Sequence, residues 1–356
     1  MMNSPTPPMK GRGTSENPPP RFHDCVVVPD ISEETPLAIA TTYSSQLAKS
    51  IIATNRSPDV PFTQSINPYQ GCEHGCIYCF ARPTHAYWDL SPGLDFESHI
   101  LWKENAAHLL REELSKKSYQ CKPIALGSNT DPYQPAEKNF RITRSILEVL
   151  QEFHHPFTIV TKSSLILRDL DILSDMALKQ LCSVHISVTT LDNELKRKLE
   201  PRTASPAARL STLQALAQSG IPSGVLVAPI IPKINDHELE HILAEAQSHG
   251  ASTAGYIFIR LPHEVAPLFQ SWLQTHYPLK ATHVMSLIKQ SRQGKAYNAQ
   301  FDTRMAGTGP FADLLAHRFA LACKRLGLNK QKNPKLNTAL FSPCHGATAP
   351  QQLSLF

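Results

Sequence analysis

Three cysteines, Cys72, Cys76 and Cys79, stand in the stretch Gln70-Gly71-Cys72-Glu73-His74-Gly75-Cys76-Ile77-Tyr78-Cys79-Phe80. A C-x3-C-x2-C spacing on a short loop can turn three thiolates toward one centre, and soft thiolates suit zinc and iron–sulfur clusters alike. Structural zinc takes four protein ligands in a tetrahedron. His74 is the loop's candidate for the fourth, but its place between the first two cysteines makes the same metal awkward to reach. No second CxxC pair follows, as a zinc site would favour. Iron–sulfur clusters are normally held by four cysteines. Three thiolates on a [4Fe–4S] cluster therefore leave one iron open to a ligand that is not protein.

The loop needs a frame, and the chain supplies an alternation of strands and helices. Gln64–Asn67 precedes the cysteines, and a helix is predicted from about Trp102 to Tyr119. Ile124–Gly127 reads as a buried strand. The next helix puts Ile142, Ile146, Val149, Leu150 and Phe153 on one face, the 3.6-residue period. Strands follow at Phe157–Thr161, Val184–Thr190, Val225–Ile231 and Tyr256–Arg260, with a helix near Arg168–Leu181 between the first two. Ser205-Pro206 reads as an N-cap with proline in the first turn, Gly220 as the stop of that helix, and Asn235 with Glu238 as a capping box. Six βα units imply a parallel sheet covered by helices, either open and doubly wound or curved into a barrel. Polar turns close the strands: Ser128–Asp131, Thr161–Ser164 and Thr189-Thr190. Ligands bind at that end of the strands in both architectures.

Composition narrows the class. Hydrophobic residues make up 41% of the 356, enough for a sizeable core. No apolar run reaches membrane-spanning length and no signal-peptide pattern is present, so a cytoplasmic protein with no membrane partner is expected. Eight cysteines in so long a chain fit a reducing compartment better than a disulfide framework. Residues 1–24 are proline-rich without periodicity and read as a disordered, solvated arm. The net charge of +5 is uneven: residues 281–356 carry ten Lys and Arg against two Asp. Such a region suits a polyanion, or is simply a solvated face. Tyr297, Phe301, Phe311 and Phe319 lie among these charges, able to stack on unpaired bases or, for Phe311 and Phe319, to fill a helical core.

With Tyr78 one place before the last cysteine, the loop resembles the signature of the radical S-adenosylmethionine (SAM) superfamily. The resemblance implies a partial (β/α)6 TIM-like barrel of parallel strands, with a cluster-binding loop after strand 1 and a basic helical C-terminal extension. It also implies a [4Fe–4S] cluster on Cys72, Cys76 and Cys79, and SAM chelated to the open iron. The reduced cluster would cleave SAM to a 5′-deoxyadenosyl radical, fed by a flavodoxin- or ferredoxin-type donor. Domain bounds then read 60–275 for the barrel, 276–340 for the extension and 341–356 for a flexible tail.

A second stretch is more specific. Ile186-Ser187-Val188-Thr189, Leu199-Glu200-Pro201-Arg202-Thr203-Ala204-Ser205-Pro206 and Ile221–Ile230 resemble the middle of spore photoproduct lyase, over roughly residues 60–235. By that likeness Tyr78 and Ser187 contact SAM and Lys162 pairs with its carboxylate. Asp131 takes the methionyl amine or orients the loop, and Arg202 binds phosphate or pairs with Glu200. The lyase pattern also has a cysteine near the end of strand two, where this chain reads Gly127-Ser128-Asn129-Thr130-Asp131. Cys121 lies at the other end of that strand.

The chain ends Gln352-Leu353-Ser354-Leu355-Phe356, which resembles the peptide that docks bacterial repair proteins on the replication sliding clamp. There Leu355 and Phe356 would fill an apolar pocket, with Gln352 and Leu353 completing the motif. Together these readings expect a radical SAM, lyase-like enzyme acting on nucleic acid, DNA rather than RNA, in repair or base modification. Modification of RNA or of a protein residue, and a non-catalytic clamp-associated iron–sulfur protein, are the alternatives.

Overall fold

The computed structural model describes residues 9–22, 39–330 and 335–343. In chain order the strands are β1 (Thr42–Gln46), β2 (Ala53–Thr54), β3 (Gln64–Ile66), β4 (Tyr69–Gln70), β5 (His99–Lys103), β6 (Ile124–Leu126), β7 (Phe157–Thr161), β8 (Cys182–Ser187), β9 (Ser223–Ile230) and β10 (Thr253–Phe258). The main sheet runs β10-β9-β8-β7-β6-β3-β2. Its six strands from β3 to β10 are parallel, and only the short β2 is antiparallel, along the free edge of β3. The spatial order of the parallel strands follows the sequence without reversal. A doubly wound sheet reverses its order at a switch point, so this is the singly wound, partial-barrel form.

Alternation explains the core. Phe157 and Ile159 of β7, Val184 and Ile186 of β8, and Val225 and Val227 of β9 are buried. Against them lies the helix Ile142–Glu152, with Ile146, Val149 and Leu150 inward as its period requires. Ser205 caps the helix Pro206–Gln218 by accepting from the Ala208 amide at 3.2 Å.

Several local expectations differ. Trp102 lies in β5, and the helix begins only at Ala106. β5 joins a separate three-stranded sheet, β1-β5-β4, and its partner β1 is Thr-Tyr-Ser-Ser-Gln, a polar and largely exposed stretch with no alternation to reveal it. Asn235 and Glu238 form no capping box. Asn235 instead donates to the Thr189 and Pro229 carbonyls, and Glu238 accepts from Thr190 Oγ1 and the Leu191 amide. Both bind the loops at the C-terminal ends of β8 and β9 together.

The described part of the proline-rich arm, residues 9–22, is packed rather than solvated. Arg12 donates to the Glu97 and Ile39 carbonyls, the Gly13 amide to Glu97 Oε2 at 2.8 Å, and Arg21 pairs with Glu264 at 2.6 Å. Polar anchors do what apolar periodicity would normally signal. Beyond the barrel the chain continues in the helices Val265–His276, Pro278–Gln290, Thr303–Ala306 and Pro310–Leu326. Three of the basic residues here are internal fasteners: Arg304 grips Asp59 bidentately, Arg318 grips Glu240, and Arg292 donates to the Phe258, Ile259, Thr303 and Arg304 carbonyls. No helix among the described residues is long and apolar enough to cross a membrane.

Candidate active site

The cysteine loop leaves β4 at Gly71, whose φ of +77° is the left-handed conformation that glycine adopts without strain. It then crosses the C-terminal end of the parallel sheet. The Cys72 amide donates to the Phe96 carbonyl at 2.8 Å and the Ile77 amide to the Leu199 carbonyl at 3.1 Å, pinning both flanks. Beneath the loop lies a fully buried guanidinium. Arg82 donates to the Cys76 carbonyl at 3.0 Å, to the Gly93 carbonyl at 2.8 Å and to the Glu97 carboxylate. Glu97 in turn accepts from Gly13 of the N-terminal segment. A buried ion pair holds its place only when its remaining donors are satisfied, and this one satisfies them with carbonyls of the loop and of Pro92 and Gly93.

Cys72 and Cys76 are buried and Cys79 is half-buried. Burial pushes all three thiols up, Cys76 to about 12. Negative neighbours add to it: Asp131, then Cys76 and Cys79, for Cys72; Glu200 for Cys76. Each sulfur thus lies within the field of the other two. As free groups they are thiols, and a bound cation is what would make thiolates stable here. Among the described residues, no group of three or more His, Cys, Asp or Glu side chains converges on a point where a single metal ion could sit. Three soft thiols are the donor set that a [4Fe–4S] cluster with one open iron would take, whereas structural zinc takes four protein ligands. His74, the loop's candidate for a fourth ligand, is engaged elsewhere: its Nδ1 lies 3.3 Å from Asp131 Oδ2.

Asp131 is fully occupied. Its carboxylate accepts from Thr161 Oγ1 at 2.7 Å, the Tyr133 amide at 2.9 Å and the Lys162 amide at 2.8 Å. Burial alone would raise this carboxyl, but His74 and these donors outweigh it and hold it at about 2. The residue fastens the cysteine loop to the ends of β6 and β7, which matches loop orientation and leaves no lone pair directed at a ligand amine.

Ser187 closes β8, buried, its hydroxyl donating to the Ala228 carbonyl at 3.2 Å. Lys162 leaves β7 with its charge bearing on Cys76, Cys79 and Glu200, and it makes no ion pair with a described residue. Arg202 does not pair with Glu200. It reaches Glu73 at 3.0 Å and Thr41 Oγ1 at 3.1 Å. The partner of Glu200 is Arg209, one turn into the following helix and facing back toward β8.

The sequence marked Glu200 only as a possible partner of Arg202. Fully buried, it accepts from Tyr78 O–H, Thr189 Oγ1 and Arg209. Burial opposes its charge, yet Arg209 and Lys162 prevail and hold it at about 2. It thereby fixes the tyrosine of the cysteine loop against β8. Its flag was the Glu-Pro-Arg run, but nothing local says that the arginine nine residues on is the one that turns back. Arg82 was missed too, its only signal being a charge inside an otherwise apolar stretch.

At the end of β6, Ser128, Asn129 and Thr130 lock onto residues leading into the loop. The Asn129 amide donates to Asn67 Oδ1 at 3.1 Å and Thr130 Oγ1 to the Tyr69 carbonyl at 2.7 Å. Cys121 lies ahead of β6, at its opposite end. Phe311 and Phe319 pack on Phe258 and Tyr256 of β10, as core, whereas Phe301 is exposed. Gln352, Leu353, Leu355 and Phe356 fall outside the described residues.

Comparison with known proteins bears on the whole assembly. The family model of the radical SAM superfamily matches residues 66–246. An uncharacterized protein of Mycobacterium tuberculosis is 37% identical over 242 residues, covering 67% of this chain and 71% of that one. An uncharacterized protein of Methanocaldococcus jannaschii is 30% identical, covering 65% and 82%. Among solved structures, spore photoproduct lyase complexed with dinucleoside spore photoproduct superposes with a TM-score of 0.55 at 15% identity over 80% of each chain. A mutant of the same lyase with bound AdoMet and dinucleoside spore photoproduct gives 0.54, also at 15% and 80% of each chain. At that identity the likeness is one of fold. The partial barrel, the loop across its strand ends and the family match agree: this chain belongs to the radical SAM superfamily, whose members use a [4Fe–4S] cluster and S-adenosylmethionine.

Proposed function

We propose that this chain reductively cleaves S-adenosylmethionine and acts on DNA, in a reaction related to that of spore photoproduct lyase. The observation that carries the radical reading is the triad Cys72, Cys76 and Cys79 at the strand ends, with its nearest candidate fourth ligand, His74, held by Asp131. Those three thiols would hold the cluster. Bound there, cluster and SAM together supply a 5′-deoxyadenosyl radical, which is cofactor chemistry.

The chain's own part is placement. Arg82 and Glu97 fix the loop from below, and Asp131 fixes it to β6 and β7. Lys162 supplies a point charge at the mouth for the SAM carboxylate. Tyr78, held by Glu200, and Ser187 present a rigid wall at the end of β8 for the nucleoside part. Arg202, tied to Glu73, acts on the loop's first turn and not on a ligand phosphate.

Two features support a DNA substrate: the fold shared with a lyase whose solved complex contains a dinucleoside lesion, and the excess of Lys and Arg near the C-terminus. The β6 loop lacks the thiol that the lyase pattern carries there, so the reaction ends differently from the lyase's. The terminal Gln-Leu-Ser-Leu-Phe peptide would bring the enzyme to the sliding clamp. Reconstituted protein with dithionite should produce 5′-deoxyadenosine from SAM, and Cys76→Ala should abolish it. No product from the intact, iron-loaded chain would refute the proposal.

A further inference from the structure

Arg260 stands two residues beyond β10, at the same end of the sheet as the cysteine loop, and its environment is unusual for an arginine. Its guanidinium carbon lies 4.9 Å from the centroid of Phe80, the residue next to Cys79, and 6.0 Å from the ring of Tyr297. The hydrogen bonds it makes are long and weak, 3.5 Å to the Tyr297 hydroxyl and 3.5 Å to Met305 Sδ. Its Nε is buried without a partner, and no carboxylate among the described residues pairs with it. A guanidinium carries five donors and a permanent charge. This one has only two long hydrogen bonds and no carboxylate partner among the described residues.

The second cation beside it is equally uncompensated. Arg292 donates only to carbonyls, and burial followed by the charge of Arg260 pushes it down to about 10. Through those carbonyls Arg292 clips residues 303–304 onto the end of β10, which is what brings Met305 and Tyr297 around Arg260. Arg292 is itself buried, so it adds positive field while the part-exposed Arg260 is the cation that an anion could reach. Phe80, meanwhile, is 42% exposed although it adjoins the buried cysteines. A ring with a cation against it and part of its surface open to solvent is a stacking platform with one side already built.

Resting on the reading of a nucleic-acid substrate, we propose that this rim receives an unpaired nucleotide of DNA, its base stacked on Phe80 and its phosphate on Arg260. The stacking ring is covalently next to the last cluster cysteine, so the base it holds lies at the reactive mouth. Phe301, exposed and covered by Arg304 at 4.8 Å, stands on the same clipped segment and offers a place for a neighbouring base. A duplex cannot present a base face without opening, because stacking hides it. The site therefore selects single-stranded or extruded nucleotides.

The test is fluorescence anisotropy on full-length, iron-loaded protein with a labelled single strand of about 12 nucleotides, its duplex, and RNA of the same sequence. Wild type should bind the DNA single strand most tightly. Phe80→Ala and Arg260→Gln should each weaken it about tenfold, and Arg260→Gln should also lower the salt slope by about 0.7. Phe80→Tyr, which keeps the ring, should bind as wild type does. Matched iron content guards against misfolding, and Arg260→Gln, away from the cysteines, keeps the test open if Phe80→Ala loads poorly. Equal binding by wild type and both weakening variants, or tighter binding of duplex or RNA, would overturn the proposal. Binding is read without turnover, so cleavage lost with the pattern intact rejects the radical reading alone. Cleavage intact with no such pattern rejects the platform alone.

Discussion

Glu200 shows how much of this site depends on one carboxylate. Tyr78, Thr189 and Arg209 all donate to it, and it is the carboxylate that pairs with the buried Arg209. Its folded value of about 2 lies below the unfolded 4.5. The stability it contributes is therefore complete above about pH 4.5 and is lost as pH falls toward 2. Glu200→Gln should destabilise the protein by about 3–5 kcal/mol near neutrality, because Arg209 is left buried without its counter-ion. That deficit should narrow as pH falls below about 4.5. Urea unfolding of both proteins from pH 3 to 7 measures it, and a deficit independent of pH would show that the charge is not the source. A role toward SAM was implied only by the family resemblance, while the places of Ser187 and Lys162 at strand ends were legible because both close apolar strands. Glu200 was not, since its partner depends on a helix turning back across β8, a relation that no spacing encodes.

For elements, the outcome divides along similar lines. Strands β6 to β9 follow from apolar runs bounded by turns, whereas β3 is the short Gln-Ser-Ile and β10 runs Thr253–Phe258, three residues ahead of the expected Tyr256 start. The parallel βα crossovers set their order along the sheet. What escaped were elements built on polar contacts: β1, which pairs with β5 through backbone alone, and Asn235 with Glu238, whose capping potential was drawn into joining two loops. The cysteine loop was legible from its spacing, but polar contacts also hold it in place. Gly75 has φ +65°, and a Cβ there would come within 2.6 Å of Glu97 Oε2, the atom that receives the Gly13 amide. Gly75→Ala should therefore displace the loop or Glu97, and the iron bound per chain after reconstitution should fall at least about twofold, the strained backbone adding about 1 kcal/mol to the steric cost. Full iron loading would show that the loop is softer than its contacts imply. Gly220→Ala, just past the helix Pro206–Gln218 with φ +69° and open space where a Cβ would go, serves as a backbone-strained control.

At the scale of the molecule, the barrel supplies the chemistry and the two ends of the chain supply its setting. The C-terminal helices spend Arg292, Arg304 and Arg318 on internal fastening, so the net charge there overstates the surface left for a polyanion. The tail is a separable device if it docks on the sliding clamp. Deleting Leu355 and Phe356 should abolish clamp binding in surface plasmon resonance while 5′-deoxyadenosine production stays within about twofold, the apolar anchors carrying most of such an affinity. Retained clamp binding would refute the assignment.

The N-terminal segment has a consequence for synthesis. Its polar anchors reach both the cysteine loop and residues made long afterwards: Gly13 binds Glu97, but Glu16 reaches Ser271 and Arg21 reaches Glu264. Chains emerge from the ribosome N-terminal end first. Most of its partners, Pro83, Ser91, Asp95 and Glu97, follow directly on the thiols, so the segment can settle beside their loop once residue 97 has been made. Only the Glu16–Ser271 and Arg21–Glu264 contacts wait for the end of the barrel, and they make the early segment a clasp that closes when the last strand is in place.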